Sequence, residues 1–209
     1  MSNISRPTSK WVYQYFQKGC YEGYPQEEIK FYRKHERQAR KIVLETLNKL
    51  PNQVWEQIKK GNPRIYFRLN VGIGGLALNC ECMSYNDAIG EKYDVCLGEA
   101  VDDTITAHEI AHAILKHDCS TESAMALTMD EYDDLNIEAD ALAAKWGFPV
   151  EEWLELTRHG NAWLIGLECN PNDGSPPRNA EHLDVSSKNT ALNRIDDCTK
   201  RLNALRKGG

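Results

Sequence analysis

No uninterrupted apolar run in the sequence approaches the roughly 20 residues that a membrane-crossing helix needs, so no transmembrane segment is expected. The first residues, MSNISRPTSKWVYQYF, lack the charged start and apolar core of a secretion signal, and the expected location is the cytoplasm. Positive charge is in deficit: 25 Lys and Arg against 31 Asp and Glu leave a net charge of -6, which argues against a general affinity for phosphate backbones. One basic stretch, KFYRKHERQARK (30–41), runs the other way, but glutamates at 27, 28, 36 and 45 accompany it. It reads as the solvated face of a helix, and nucleic acid is an unlikely partner. Also missing are a C-x-x-C pair and an even cysteine count. The seven cysteines stand at 20, 80, 82, 96, 119, 169 and 198, and an odd number without a secretion signal favours reduced thiols. Cys80 and Cys82, in NCEC, read as small buried residues of a strand rather than a metal knuckle. No internal repeat is evident.

What is present divides by period. From Pro25 to Asn48, Ile29, Tyr32, Ala39, Ile42, Val43 and Leu47 recur mostly at three- and four-residue steps, giving a long helix whose apolar stripe is interrupted near Glu36. Pro51 opens a shorter helix that Gly61-Asn62-Pro63 ends. The period then becomes strand-like in RIYFRLNV (64–71), GLALNCECMS (75–84) and KYDVCLGEA (92–100). Asp102, Asp103 and Thr104 are candidate N-caps for a helix carrying ITAHEIAHAILKH. Thr128 and Glu131 have capping-box spacing before a helix through DLNIEADALAAKW that Gly147 can end. Pro149 restarts a helix, VEEWLELTRH, which Gly160 closes. The expected fold is α+β: a minimal domain with an N-terminal helix, a small mostly antiparallel sheet and two following helices. Residues 1–168 form this domain, 169–185 a linker, and 186–209 a polar helical tail.

The chemistry concentrates in HEIAH, residues 108–112. Residues four apart on an α-helix lie one turn above each other, so His108 and His112 can reach one ion. Zinc held by imidazole needs that convergence, a third protein ligand, and an open position for water where it is catalytic. Glu109 projects toward the same cavity and can take a proton from that water. A chance H-E-x-x-H arises on the order of once in a hundred chains of this histidine content. Flanking Ile105, Ala111, Ile114 and Leu115 indicate a substantially buried helix, where paired histidines beside a glutamate require partners. His117, nine residues after His108, falls about 180° round a continued helix and is read as a helix-end histidine outside the site. The nearest carboxylate with an approach from the next helix is Glu138.

HEIAH followed by EADALAAKWGF resembles zincin metallopeptidases of the glutamate-ligand group, in particular the HtpX-like and Oma-like peptidases and the ImmA/IrrE-type and phage-encoded minimal domains. The resemblance covers residues 25 to 150, and its first motif is the more specific. It implies a zincin-like domain holding one Zn2+, a sheet edge that can hold substrate, the H-E-x-x-H helix and a second helix bearing the last ligand. In HtpX-like enzymes that ligand glutamate usually stands three residues before the alanine of the A-D pair, which here is Asn136. The candidates for the third ligand are therefore Glu138, then Asp140 or Asp134, then a site with no carboxylate. Asp140, where not a ligand, can orient an imidazole from behind. Zincins commonly add a Tyr or His that stabilises the oxyanion, and Tyr132, His159 and His182 are available. The strand KYDVCLGEA directly precedes the zinc helix, and its free edge is expected to align a peptide.

The expectation is thus a zinc metalloendopeptidase acting on a protein or peptide, with Glu109 as general base. The alternative is a non-catalytic, zinc-stabilised regulatory module, ImmA/IrrE-like and phage- or transcription-related.

Overall fold

The computed structural model describes residues 6–19, 24–72, 75–76, 80–98, 101–117, 127–150, 200 and 204. The chain divides into two compact units, 1–148 and 149–209, and the elements below belong to the first. The expected linker, His159 and His182, all but Val150 of the helix VEEWLELTRH, and all but Lys200 and Ala204 of the tail helix lie outside the described residues.

The fold is α+β. A short helix α1, Ser9–Tyr15, is capped by Thr8, whose hydroxyl accepts from Trp11 N at 3.2 Å. The long helix α2 spans Gln26–Lys49 and α3 spans Asn52–Lys59. Strand β1, Arg64–Leu69, is followed by the two-residue ribbon β2 (Val71–Gly72) and β3 (Gly75–Leu76). Then come β4, Glu81–Asp87, and β5, Gly90–Leu97. Helix α4, Asp103–Leu115, carries HEIAH, and α5, Met129–Lys145, completes the described fold.

Helix α1 was not among the expected elements. Its seven residues are too few for a periodic signal, and it is held by packing: Trp11 stacks on Tyr15 at 4.2 Å and meets Trp55 of α3 edge-on at 4.9 Å. Val12 and Phe16 are buried. The helix also accounts for the break in the α2 stripe. Glu36 is buried and ion-paired with Arg40, whose guanidinium lies over the rings of Tyr13 and Phe16, so charge replaces apolar packing beneath α1. On the outer side of α2, Arg33, Lys34, Arg37 and Lys41 are exposed.

The main sheet has the order β1-β5-β4. It is mixed where a mostly antiparallel sheet was expected: β5 runs parallel to β1 and antiparallel to β4. Strand β5 is therefore central, and both its edges are paired, so the free edge expected on KYDVCLGEA does not exist. The outer side of β1 is partly taken by a bridge from Phe16 to Phe67, with Gln17 N donating to Phe67 O at 2.7 Å. The outer edge of β4 pairs with no strand among the described residues. β4 also runs further into the polar segment than the sequence suggested, because Ser84 to Asp87 pair with Tyr93 to Gly90 across a tight turn. Pairing partners, not apolar content, extend it.

Register sorts the sheet into two faces. Ile65, Phe67 and Leu69 stand opposite Tyr93, Val95 and Leu97, and Cys82 joins them opposite Val95; all are buried. The opposite face is polar yet partly covered: Tyr85 donates to the buried Asp94 carboxylate, Gln17 donates to it at 3.3 Å, and Arg68 lies 3.7 Å from it. Helix α4 packs on β4 and β5 and is itself covered by α2 and α5. It is the element surrounded on most sides, which explains why Thr104, Thr106, Glu109 and His112 are buried among apolar residues.

Replacing Phe67, fully buried in β1, with Ala is expected to cost about 3–5 kcal/mol of unfolding free energy, measured by urea denaturation. At the sheet end, Arg64 grips Asp87 through two hydrogen bonds of 2.8 and 3.1 Å. That grip, with the Ile89 N–H, lowers the Asp87 carboxyl from 3.8 to about 2. A depressed carboxyl stabilises the fold above its unfolded pKa and loses that contribution as pH falls through the folded one. Asp87→Asn is accordingly expected to flatten the acid limb of the stability curve between about pH 4 and pH 2.

Candidate metal centre

Helix α4 begins where Asp102 caps it, its Oδ1 accepting from Ile105 N at 2.7 Å. It ends at Leu115 because Lys116 turns left-handed, with φ of 61°. Within it His108 and His112 are one turn apart, and their Nε2 atoms approach to 3.0 Å with the ring planes at 81°. Two nitrogens bound at 2.0–2.1 Å to a tetrahedral zinc stand roughly 3.3 Å apart, so the pair is spaced as ligands of a single ion.

Each ring is held from behind. Nδ1 of His108 lies 2.7 Å from Oδ1 of Asp140 on α5, the orienting role considered for that carboxylate. Nδ1 of His112 lies 3.0 Å from Nδ1 of His117, and Nε2 of His117 lies 3.2 Å from Oε2 of Glu138. His117 was expected to face away from the site. That expectation assumed a helix continuing through residue 117, whereas the chain reverses at Lys116 and His117 N donates to His112 O at 3.0 Å, folding the ring back beneath His112.

Glu138, the preferred candidate for a third ligand, and Asn136 stand differently toward the two imidazoles. Glu138 meets His117, and its side chain is 56% exposed. The side chain that hydrogen-bonds to both His108 and His112 is that of Asn136. Its Nδ2 donates to Tyr132 O at 2.8 Å, one turn back, leaving Oδ1 as the acceptor toward the imidazoles. Asn136 thus stands where the resemblance places a glutamate, while Asp134 is exposed. Tyr132, Asn136 and Asp140 follow one another at four-residue steps along one side of α5. Among the described residues, no three His, Cys, Asp or Glu side chains converge as a group able to hold a metal. The side chains brought together here are two imidazoles and one amide.

Electrostatics follow from burial. Burial disfavours the His108 imidazolium, but the facing Asp140 carboxylate outweighs it, aided by Glu109 and Asn136, and moves the ring up to about 9. His112, buried beside two other imidazoles, is pushed far down and stays neutral. Burial likewise lowers His117, opposed by Glu138. Burial raises the Glu109 carboxyl to about 7, with Glu81 and Asp140 adding to it and His108 opposing. Glu81 opens the edge strand β4 and accepts from Asn70 at 3.1 Å. Cys80, just before it, accepts from Gly98 N at 3.2 Å, and burial beside Glu109 holds its thiol protonated. Among the described residues Cys80 and Cys96 are free thiols.

Sequence reasoning named His108, Glu109, His112, Glu138, Asp140 and Tyr132 on the two helices that do pack together. It missed Asn136 as an occupant, His117 as a partner of His112, and Glu81. The four-residue step from Asn136 to Asp140 was the available signal for the first. No protein-family model, no curated protein and no solved structure matches the chain.

If the Asn136 oxygen is a metal donor, Asn136→Glu, which adds an anion beside a dication, is expected to tighten Zn2+ binding by about tenfold or more. Asn136→Leu is expected to weaken it, both read by competition with a chromophoric chelator.

Proposed function

We propose that the protein is a zinc-dependent metallopeptidase. The observation that carries this reading is the 3.0 Å approach of the His108 and His112 Nε2 atoms, with Asp140 behind the first ring and the buried Glu109 alongside. His108, His112 and the Asn136 amide oxygen would hold the ion. Bound there, zinc supplies Lewis-acid polarisation of a peptide carbonyl and lowers the pKa of a water molecule.

Glu109 takes the proton from the attacking water as its oxygen bonds to the carbonyl carbon. It then delivers that proton to the amide nitrogen as the C–N bond breaks. Burial suits it to this exchange, since a carboxyl near neutrality both accepts and releases a proton readily. Asp140 holds the His108 ring in the tautomer that keeps Nε2 toward the ion. The substrate, a protein or peptide, would lie along β4, whose outer edge offers backbone groups and whose first residue, Glu81, is within electrostatic reach of Glu109. Tyr132, on the same side of α5 as Asn136, is a candidate for stabilising the oxyanion; His159, the other candidate, lies outside the described residues. None of the described helices is long and apolar enough to cross a membrane; a cytoplasmic site of action is part of the proposal.

One observation favours a second reading, a zinc-stabilised regulatory module. Asn136 gives a neutral third donor where a glutamate would bind the ion more tightly.

Glu109→Gln decides between them. Under the enzymatic reading it is expected to retain stoichiometric zinc and lose roughly 10²-fold or more in peptide hydrolysis, assayed on a peptide library. Wild-type protein that binds zinc and gains thermal stability but cleaves nothing would favour the module. Zinc content at zero after metal loading would remove both.

A further inference from the structure

We infer that the outer stripe of α2, built by Lys30, Lys34, Arg37 and Lys41, is a docking surface for an acidic helical segment of a partner protein.

The stripe follows from spacing. Steps of four, three and four residues keep these side chains within about 60° of one another round the helix, in a row about 16 Å long. All four are exposed, and Arg33 adds another exposed cation at the edge of the row. Successive members of the row stand one turn apart, where like charges repel and weaken a helix. Nearby cations are matched inside the molecule: Arg40 by Glu36, Lys49 by Asp103 and Lys59 by Glu56. Within the row only Lys41 has an ion pair among the described residues, with Glu45 at 3.7 Å, and both of those side chains are more than half exposed.

The fold does not require this charge. Tyr32, Ala39, Val43 and Leu47 secure α2 on its buried side, and a face that served solubility alone would be met by interleaved signs. Here the exposed acids Glu27 and Glu45 stand only beyond the two ends of the row.

That placement selects the partner. A phosphate backbone running along α2 would meet a carboxylate at each end, and the net charge of -6 adds to the repulsion. An acidic helix of three turns fits between the two glutamates and sets carboxylates against the cations. Aromatic rings border the row as well. Phe31 is 43% exposed on one side; on the other, beyond Arg40, Tyr13 is 53% exposed, its ring centroid 4.5 Å from the Arg40 guanidinium carbon. Rings at both borders give the partner apolar contact beside its carboxylates, and the cations steer the encounter.

The test uses the full chain and fluorescence anisotropy. The probe is a labelled, alanine-rich helical peptide with glutamates at the same four-, three- and four-residue steps and a leucine beside the first. A second peptide has the same composition with its glutamates scattered round the helix. The striped peptide is expected to bind about 10-fold more tightly than the scattered one, and to weaken steeply between about 50 and 500 mM salt. The triple variant Lys30→Gln, Lys34→Gln, Arg37→Gln is expected to lose about 10-fold in affinity for the striped peptide. Lys59→Gln with Lys60→Gln, which removes exposed charge from the end of α3, is expected to leave it unchanged. Circular dichroism checks folding, and should the triple variant not fold, Lys34→Glu alone reads the same loss.

Equal binding of the two peptides, no binding at low salt, or a folded triple variant with unchanged affinity overturns the proposal. So does a single-stranded oligonucleotide, a phosphatidylglycerol vesicle or a second copy of this chain that binds the row more tightly than the striped peptide and is released by the triple variant.

Discussion

The contact between His108 and Asp140 ties the centre of this fold together. A carboxylate 6% exposed on α5 and an imidazole on α4 meet at 2.7 Å, and neither could be buried without the other or an equivalent partner. The requirement is geometric as well as energetic. It fixes the rotation of α5 about its own axis against α4, and with Asp140 pinned, the residue one turn earlier has to face the same imidazoles. That residue is Asn136. The identity of the third side chain at the site follows from the phase that Asp140 imposes.

Much of this was legible in the sequence. The spacing of His108 and His112, the Asp102 cap and the Thr128–Glu131 capping box are local features, set by helix geometry within one turn, and local geometry survives folding. That Glu138 meets His117 while Asn136 meets both imidazoles was not legible, because the azimuth of one helix against another is not written in either helix alone. His117 was misjudged for a related reason. Whether a helix stops at Leu115 or runs on to residue 117 depends on a lysine adopting a left-handed backbone, a conformation that glycine announces and lysine does not. The central place of β5 was hidden because strand order is a property of the whole sheet, although its five consecutive buried residues are what a strand covered on both faces requires.

The two faces of the sheet divide the labour. The apolar face carries α4 and supplies the packing that keeps Glu109 and His112 out of water. The other face is stitched by Asp94, which accepts from Tyr85 and Gln17 and lies near Arg68. Residues from β1, β4, β5 and the segment just after α1 thereby share one buried carboxylate, so the strand edge beside the site is braced by polar contacts behind it.

The parallel pairing of β1 with β5 also has a kinetic meaning. Asp87 and Gly90 close the β4–β5 hairpin across two intervening residues, whereas Arg64 pairs with Lys92, a separation of 28 positions (92 − 64). Loop-closure entropy makes the hairpin the cheaper event, and the crossover to β1 the dearer one. The hairpin turn at Gly90, with φ of 119°, thus governs a step on which the docking of β1 depends, at the end of the sheet remote from the histidines. The residues that set how fast this sheet assembles are thus different from those that gather around the paired histidines, and the two groups lie on separate elements.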